Sequence, residues 1–147
     1  MVKGLYVLVL TLEEDLRVVT RGGRVFDLPR GVYLYVGSAR GPGGVESRVR
    51  RHASKSKKLF WHIDHVTSDP RARVLGYFAV TEKGIRENVL STLLSGVFEP
   101  VKGFGSSDDP AAVSHMFRCR WDVPECLEEA SRRLGELGVT VKFIRAP

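Results

Sequence analysis

The fold is decided by an apolar stretch near the start of the chain, Gly4-Leu-Tyr-Val-Leu-Val-Leu10. Its β-branched and aromatic residues, with no charge among them, are typical of a strand buried on both faces of a sheet. Two further strand-like runs, 25–28 and 32–36, lie on either side of a turn at Pro29-Arg30-Gly31. The three runs are predicted to form antiparallel strands, with the first of them in the centre of a sheet.

The rest of the chain mixes helical and strand-like segments without alternating them strictly. Val45 and Val49 recur at helical spacing after a Gly- and Pro-rich turn, and Asp122 with Glu125 forms the pattern of a capping box. We expect helices from about residue 44, over 59–66, from about 82 to 94 and over 124–137, and strands at 74–80, 115–121 and 139–144. The predicted architecture is α+β, one domain over residues 1–147 with a small, mostly antiparallel sheet flanked by about three helices.

Two of these helical segments carry bulky apolar residues that are expected to face the core. In the segment 59–66, Phe60 and Ile63 are predicted to pack inward, and Trp61 is a further candidate. The segment 82–94 has an apolar stripe that predicts a buried helix face, made of Ile85, Val89, Leu90, Leu93 and Leu94.

The overall charge of the chain indicates an anionic partner. The 147 residues carry a formal net charge of +6, with 43% hydrophobic and 27% charged residues. These fractions are typical of a globular protein and exclude a disordered or membrane-spanning chain. The sequence pI near 9.6 favours phosphate-bearing partners, because fixed positive charge attracts phosphate and releases its counterions. We therefore expect nucleic acid as the partner, and no membrane.

Cysteine usage suggests a reducing compartment. The chain has two cysteines, Cys119 and Cys126, and no segment resembling a signal peptide. This pattern predicts no disulfide framework and a cytoplasmic location. Zinc at His115, Cys119 and Cys126 is not expected, because their spacing fits no common zinc module.

Five polar residues could together hydrolyse a phosphodiester bond. That reaction needs an activated water, positive charge on the phosphate, and usually a divalent cation held by a carboxylate. Tyr6 and Tyr35 lie on two separate predicted strands. Arg48 and His52 are four residues apart on one helix face, and Glu87 lies in a later helix, away from its apolar stripe. Composition alone does not unite these residues.

The order of short motifs along the chain resembles that of the GIY-YIG nuclease superfamily. Gly4-Leu5-Tyr6 comes first and Tyr35-Val36-Gly37 second, and they are followed by Arg48, His52 and Glu87. Other segments resemble a largely archaeal, poorly characterised branch of that superfamily, namely 33–39, 43–44, 61–64, 103–108 and 114–115. The resemblance covers nearly the whole chain.

The resemblance implies a metal-dependent nuclease that hydrolyses phosphodiester bonds in DNA, with a structure-specific or repair-linked role. Tyr6 or Tyr35 would help to activate the attacking water, and the resemblance does not decide between them. Arg48 would bind the scissile phosphate, His52 would assist proton transfer, and Glu87 would hold one Mg²⁺ or Mn²⁺. A noncatalytic nucleic-acid-binding module on the same scaffold is the alternative.

A basic run follows the first helical segment. No acidic residue lies between Ser47 and Ile63, and such runs are typical of surfaces that follow a phosphate backbone. The predicted nucleic-acid-binding residues are Arg48, Arg50, Arg51, Lys55, Lys57 and Lys58.

Further polar residues are candidates for a supporting layer around the metal or phosphate. The resemblance to the branch suggests that His62 points into the site. The remaining candidates for this layer are Ser107, Asp108, Ser114 and His115.

Overall fold

The structure is a computed structural model, and it describes residues 2–81, 84–105, 112–138 and 141–146. In chain order the strands are β1 Gly4–Leu12, β2 Leu16–Val19, β3 Val25–Leu28, β4 Gly31–Ala39, β5 Ala72–Val80, β6 Glu99–Pro100, β7 Met116–Cys119 and β8 Phe143–Arg145. The helices are α1 Gly44–Ala53, α2 His62–Thr67, α3 Glu87–Ser95 and α4 Val123–Gly135. This confirms the α+β class, with four helices in the described ranges where the sequence predicted about three.

Six strands form one antiparallel sheet in the order β6-β7-β4-β1-β5-β8, and β2 pairs with β3 in a separate hairpin. β1 lies between β4 and β5, as its continuous apolar sequence predicts. The register places Tyr6 opposite Gly37, so the start of β1 lies beside the end of β4. Two of the sequence motifs therefore meet at one end of the sheet.

Side chains alternate along the central strands and divide the core into two clusters. Leu5, Val7 and Val9 point to one side, which we call the aliphatic face and which packs against α3 and α4. The opposite side, which we call the tyrosine face, is covered by α1, α2 and the β2–β3 hairpin. It carries all four tyrosines of the chain, Tyr6, Tyr33, Tyr35 and Tyr77.

The third helix begins later than its apolar pattern predicts. α3 begins at Glu87, three residues after Gly84, whose φ of +89° lies in the left-handed region that a helix does not use. Leu90 and Leu94 are buried, but Val89 is exposed, so its assignment to the core is wrong. The buried face of α3 is therefore narrower than its apolar pattern predicts.

The predicted end of the chain is confirmed in part. The Asp122 side chain accepts a hydrogen bond from the backbone N–H of Glu125 at 3.2 Å and caps α4, which is one of the two bonds of a capping box. Of the predicted strand 139–144, residues 143–144 lie in β8, which continues to Arg145, whereas Val141 and Lys142 lie in no strand, and Val139 and Thr140 are outside the described residues. Among the residues that the structure describes, no helix has the length and apolar character needed to cross a membrane.

The two cysteines form a disulfide, which corrects the expectation drawn from the sequence. Cys119 ends β7 and Cys126 lies in the first turn of α4, and their sulfur atoms are bonded. Both residues are buried in the cluster of the aliphatic face. The sequence gives no signal of this pairing, because it depends on how α4 folds back beside β7.

Candidate active site

A cleft of about 520 Å³ opens where β1 begins and β4 ends. Four of the five residues expected to act together line it: Tyr6, Tyr35, Arg48 and Glu87. The remaining lining residues are Leu5, Gly37, Ser38, Arg40, Trp61, Arg86, Asn88, Gly105 and His115. The cleft therefore combines side chains that lie far apart in sequence.

The place of Tyr6 in the cleft depends on a glycine in the neighbouring strand. Gly37 pairs with Tyr6 across β1 and β4, and a Cβ atom at Gly37 would overlap the Tyr6 ring and its hydroxyl. The two motifs thus fit together, because the glycine of one leaves room for the tyrosine of the other.

His52 lies beneath the cleft and does not line it. The side chain is fully buried, and its Nε2 atom lies 2.7 Å from the hydroxyl oxygen of Tyr6. Burial, reinforced by the charge of Lys57, lowers the pKa of His52 to about 3. A neutral imidazole without access to the cleft orients Tyr6 and does not meet a substrate, so its expected part in proton transfer can only run through Tyr6.

Both tyrosines of the cleft are protonated in the resting protein. Burial is the main cause that raises the pKa of Tyr6 and of Tyr35 well above its ordinary value. Arg48 acts in the opposite direction on both of them. A hypothetical Cβ atom at Gly105 would lie 3.4 Å from the Tyr35 ring, so the backbone of that loop packs against Tyr35.

Glu87 supplies the carboxylate of the cleft and lies beside His115. Glu87 is the first residue of α3, its side chain is 34% exposed, and its Oε2 atom lies 3.4 Å from Nδ1 of His115. Mg²⁺ is usually held by one or two carboxylates together with water and substrate phosphates. Within the described ranges no group of three or more His, Cys, Asp or Glu is placed to hold a metal. The donor set fits a cation bound jointly with a phosphate, not a preformed protein cage.

The basic run divides into two groups in the structure. Arg51 binds both carboxylate oxygens of Asp64, at 2.6 and 2.9 Å. The ammonium groups of Lys55 and Lys57 each donate to three oxygen atoms around α1 and α2. These three cations therefore stabilise the fold. Of the predicted nucleic-acid-binding residues, Arg48 faces the cleft, and Arg50 and Lys58 are exposed.

Two arginines of the cleft were missed by sequence reasoning. Arg40 follows the end of β4 directly, and Arg86 immediately precedes α3. Their positions next to the Tyr35-Val36-Gly37 motif and Glu87 were the available signal, but neither residue belongs to a basic run. With Arg48 they give the cleft three arginines.

The candidates for a supporting layer take different positions. Nδ1 of His62 accepts a hydrogen bond from the backbone N–H of Gly105 at 2.9 Å, and its ring packs against Phe104, so His62 holds a loop of the cleft instead of lining it. The Ser114 hydroxyl donates to the backbone carbonyl of Met116 and accepts from its N–H, which fixes the start of β7. Ser107 and Asp108 lie outside the described residues.

The segment before α2 differs from its expected packing. Ile63 is buried as predicted, but Phe60 is 61% and Trp61 42% exposed, so their assignment to the core is wrong. α2 begins only at His62, and the side chain of Asp64 accepts hydrogen bonds from the backbone N–H groups of Phe60 and Trp61, both at 2.9 Å. These bonds hold the two aromatic residues outside the helix.

Comparison with known proteins assigns the chain to a family. The family model described as "Domain of unknown function DUF123" matches residues 5–136, a range that contains every residue lining the cleft. No curated protein and no solved structure gives a significant match. The chain therefore belongs to the family Domain of unknown function DUF123.

Proposed function

We propose that this protein is a divalent-metal-dependent nuclease that hydrolyses phosphodiester bonds in DNA. The observation that carries the proposal is the convergence of Tyr6, Tyr35, Arg48 and Glu87 in one cleft. Membership of the GIY-YIG superfamily is part of the proposal, and the motif order in the sequence supports it. The pairing of Tyr6 with Gly37 links the first two motifs physically, since a side chain at Gly37 would overlap the Tyr6 ring.

The charge of the cleft supports a phosphate substrate. Arg40, Arg48 and Arg86 line it together with one carboxylate, that of Glu87. Arginine matches the geometry of phosphate oxygens and stabilises the negative charge that develops during phosphoryl transfer. In the proposed reaction Arg48 binds the scissile phosphate, because it lines the cleft together with the two tyrosines. Its positive charge acts against the rise that burial causes in their pKa.

Glu87 is the residue that would hold Mg²⁺ or Mn²⁺, with water and a substrate oxygen completing its coordination. Such a cation supplies positive charge at the phosphate and lowers the pKa of a bound water. The chain itself orients the water and the phosphate through the tyrosine hydroxyls. Tyr6 is held by His52, whereas Tyr35 is held through its ring by Gly105 and by the imidazole of His52.

The test is incubation of the purified protein with labelled duplex, flapped and branched DNA and with RNA, in Mg²⁺, in Mn²⁺ and in chelator. We expect cleavage of DNA only with the cation present. Arg48→Ala should lower the cleavage rate by about 100-fold or more, whereas Arg132→Ala, an exposed arginine of α4 that does not line the cleft, should not. Glu87→Gln should remove metal-dependent cleavage, and Glu128→Gln, an exposed glutamate of α4, should retain it.

Two results would contradict the proposal in different ways. Metal-dependent cleavage that survives both Arg48→Ala and Glu87→Gln would place the active site elsewhere. Binding that weakens steeply as salt concentration rises, without cleavage of any substrate, would instead identify a noncatalytic nucleic-acid-binding module.

A further inference from the structure

An exposed aromatic residue of the cleft, Trp61, is preceded in the chain by a second one, Phe60. Trp61 lines the cleft directly, and Phe60 precedes it and is the more exposed of the two. Large apolar side chains on a surface are unremarkable when they are scattered singly. Two adjacent aromatic residues beside an arginine-lined cleft form a different kind of surface, which we call the Phe60–Trp61 pair.

The backbone of the Phe60–Trp61 pair is held by hydrogen bonds to the side chain of Asp64. One carboxylate oxygen of the fully buried Asp64 accepts the backbone N–H groups of both residues. Arg51 binds the same carboxylate at two points and also donates to the backbone carbonyl of Lys58. Burial of a charged pair costs free energy and is offset only by good geometry. Here that cost orders a segment whose aromatic side chains remain partly exposed, which favours a binding role over a packing role.

Trp61 also separates two depressions in the surface. It lines the main cleft and a smaller depression of about 190 Å³ that is bounded by Gly41, Pro42 and Ser47. Arg48 lines both depressions, the guanidinium carbons of Arg48 and Arg51 each lie 4.5 Å from the centre of the Trp61 ring, and 42% of Trp61 remains exposed. A strand whose phosphate lies at Arg48 would therefore have its neighbouring nucleotides beside the aromatic pair.

We propose that the Phe60–Trp61 pair stacks unpaired bases of a nucleic-acid strand whose backbone enters the cleft at Arg48. This inference rests on the proposed function and names its substrate class, which is DNA with single-stranded nucleotides next to the cleaved bond. Exposed aromatic side chains combined with positive charge are the usual means of binding single strands, because every base has a face that can stack. The bases of an intact duplex are already stacked on one another and do not offer such a face.

The surroundings of the pair favour a nucleic-acid strand over a protein partner. Arg40 and Arg48 line the adjoining cleft, and Lys58 is an exposed cation just before the pair. These charges complement a phosphate backbone, whereas an apolar protein surface would leave them unpaired. The charge pattern and the aromatic side chains therefore both favour a nucleic-acid strand.

The experiment measures binding in chelator, so that it does not depend on cleavage. A short labelled oligothymidylate and a blunt duplex of the same length are titrated with the wild type, Phe60→Leu and Trp61→Leu, which keep an apolar side chain but lose the aromatic face. Trp121→Leu is the matched control, because Trp121 is also 42% exposed but does not line the cleft. Circular dichroism and urea unfolding of each variant verify that it folds.

We expect each aromatic variant to raise the Kd for the single strand by about fivefold or more, the lower end of what one stacked base contributes. The Kd for the duplex should change by less than about twofold, as should both Kd values of Trp121→Leu. In the Trp121→Phe protein, whose one tryptophan is Trp61, the single strand should quench the fluorescence. Equal loss of single-strand and duplex affinity, or no loss in either aromatic variant, would overturn the inference, and a partner of another class would then have to occupy the pair.

The outcome is separable from that of the proposed function. Selective loss of single-strand binding in a protein that cleaves nothing would support the inference and contradict the nuclease. Cleavage that proceeds unchanged on flapped DNA in Phe60→Leu and Trp61→Leu, together with unchanged binding, would support the nuclease and contradict the inference.

Discussion

On the aliphatic face of the sheet, α3 and α4 bury Leu90, Leu94 and Leu134 against apolar strand side chains. On the tyrosine face, α1 and α2 bury His52 and Asp64 among the aromatic rings. The same central strands supply both faces, because alternate side chains of β1 and β4 point in opposite directions. Adjacent residues of one strand, such as Leu5 and Tyr6, therefore lie in different surroundings.

The two faces differ in what they bury: the aliphatic face buries mainly apolar side chains, and the tyrosine face also buries polar and titratable groups. A buried polar group stabilises a protein only when it is fully paired, and otherwise it costs free energy. Nδ1 of His52 is buried and has no hydrogen-bond partner among the residues that the structure describes. In α3, on the aliphatic side, the hydroxyl oxygen of Ser91 is likewise buried without a partner among the described residues, so the tyrosine face differs in burying the titratable groups His52 and Asp64, and the cleft lies next to it. Substitutions on the two faces should separate stability from function.

The largest effect is expected from shortening a side chain on the aliphatic face. Leu134→Ala should lower the free energy of unfolding by about 2–5 kcal/mol, because it removes a fully buried side chain and leaves a cavity. The measurement is urea unfolding followed by circular dichroism. The Kd for oligonucleotides should remain unchanged under conditions where the variant is folded, since α4 contributes no residue to the lining of the cleft. A weaker affinity in the folded variant would show that the two faces are coupled.

The next effect is a pH dependence that belongs to the tyrosine face. The pKa of His52 is 6.5 in the unfolded chain and about 3 in the folded protein. Below pH 6.5 the unfolded chain therefore binds a proton that the folded protein excludes, and stability is lost as the pH falls from 6.5 towards 3. Between pH 6.5 and about 4.5 this loss should reach roughly 2–3 kcal/mol.

The comparison that isolates this effect uses two substitutions in the same helix. His52→Gln removes the titrating group and should flatten the pH dependence of the urea midpoint in this window. Val49→Ala shortens another buried residue of α1, and it should lower the midpoint by the same amount at every pH. If His52→Gln keeps the full slope of the wild type, the titrating group lies elsewhere and the burial of His52 carries no cost.

A smaller effect should follow from filling the space between the two motifs. Gly37→Ala should lower the free energy of unfolding by about 1–3 kcal/mol, because the added methyl group overlaps the ring of Tyr6. In a Tyr6→Leu background the same substitution should cost less than about 1 kcal/mol, since the ring is gone. Gly22→Ala is the control, because a Cβ atom there meets nothing within 4 Å. Equal costs in both backgrounds would show that Gly37 serves some purpose other than making room for Tyr6.

The long central strands could be predicted from the sequence, because a continuous apolar run such as 4–10 leaves few alternatives, whereas β2 and β6 were not predicted. Tyr33 and Tyr35 lie on one side of β4, as the alternation of side chains along a strand requires. What failed was the assignment of polar atoms to partners. Lys55 and Lys57 look like surface cations in the sequence, yet their ammonium groups meet backbone carbonyls that only the folded chain brings together.

The same reason explains the errors around the site. Phe60 and Trp61 have the composition of a core helix, but the carboxylate of Asp64 holds their backbone outside it. The set of cleft residues was found through the resemblance to a family, since no pattern of spacing links Tyr6 to Glu87. Arg40 and Arg86, which belong to no motif and no charge run, were missed for that reason.

The smallest effect on stability is expected from Tyr6→Phe, which should have a large effect on the proposed cleavage reaction. Tyr6→Phe removes one hydroxyl, which lies 2.7 Å from Nε2 of His52, and should lower the free energy of unfolding by about 1 kcal/mol. The ring and its fit against Gly37 are retained. If the tyrosine face serves the cleft, cleavage should fall by about 100-fold or more in the same variant, although the protein is almost as stable as the wild type.

The matched control is Tyr77→Phe, a tyrosine of the same face that does not line the cleft. It should leave the cleavage rate and the affinity for single strands close to those of the wild type, as measured on flapped DNA with Mg²⁺ and on oligothymidylate in chelator. A fall in rate that is equally small for Tyr6→Phe and Tyr77→Phe would mean that the hydroxyl of Tyr6 only satisfies His52. The tyrosine face would then be a second core, and catalysis would have to depend on Tyr35.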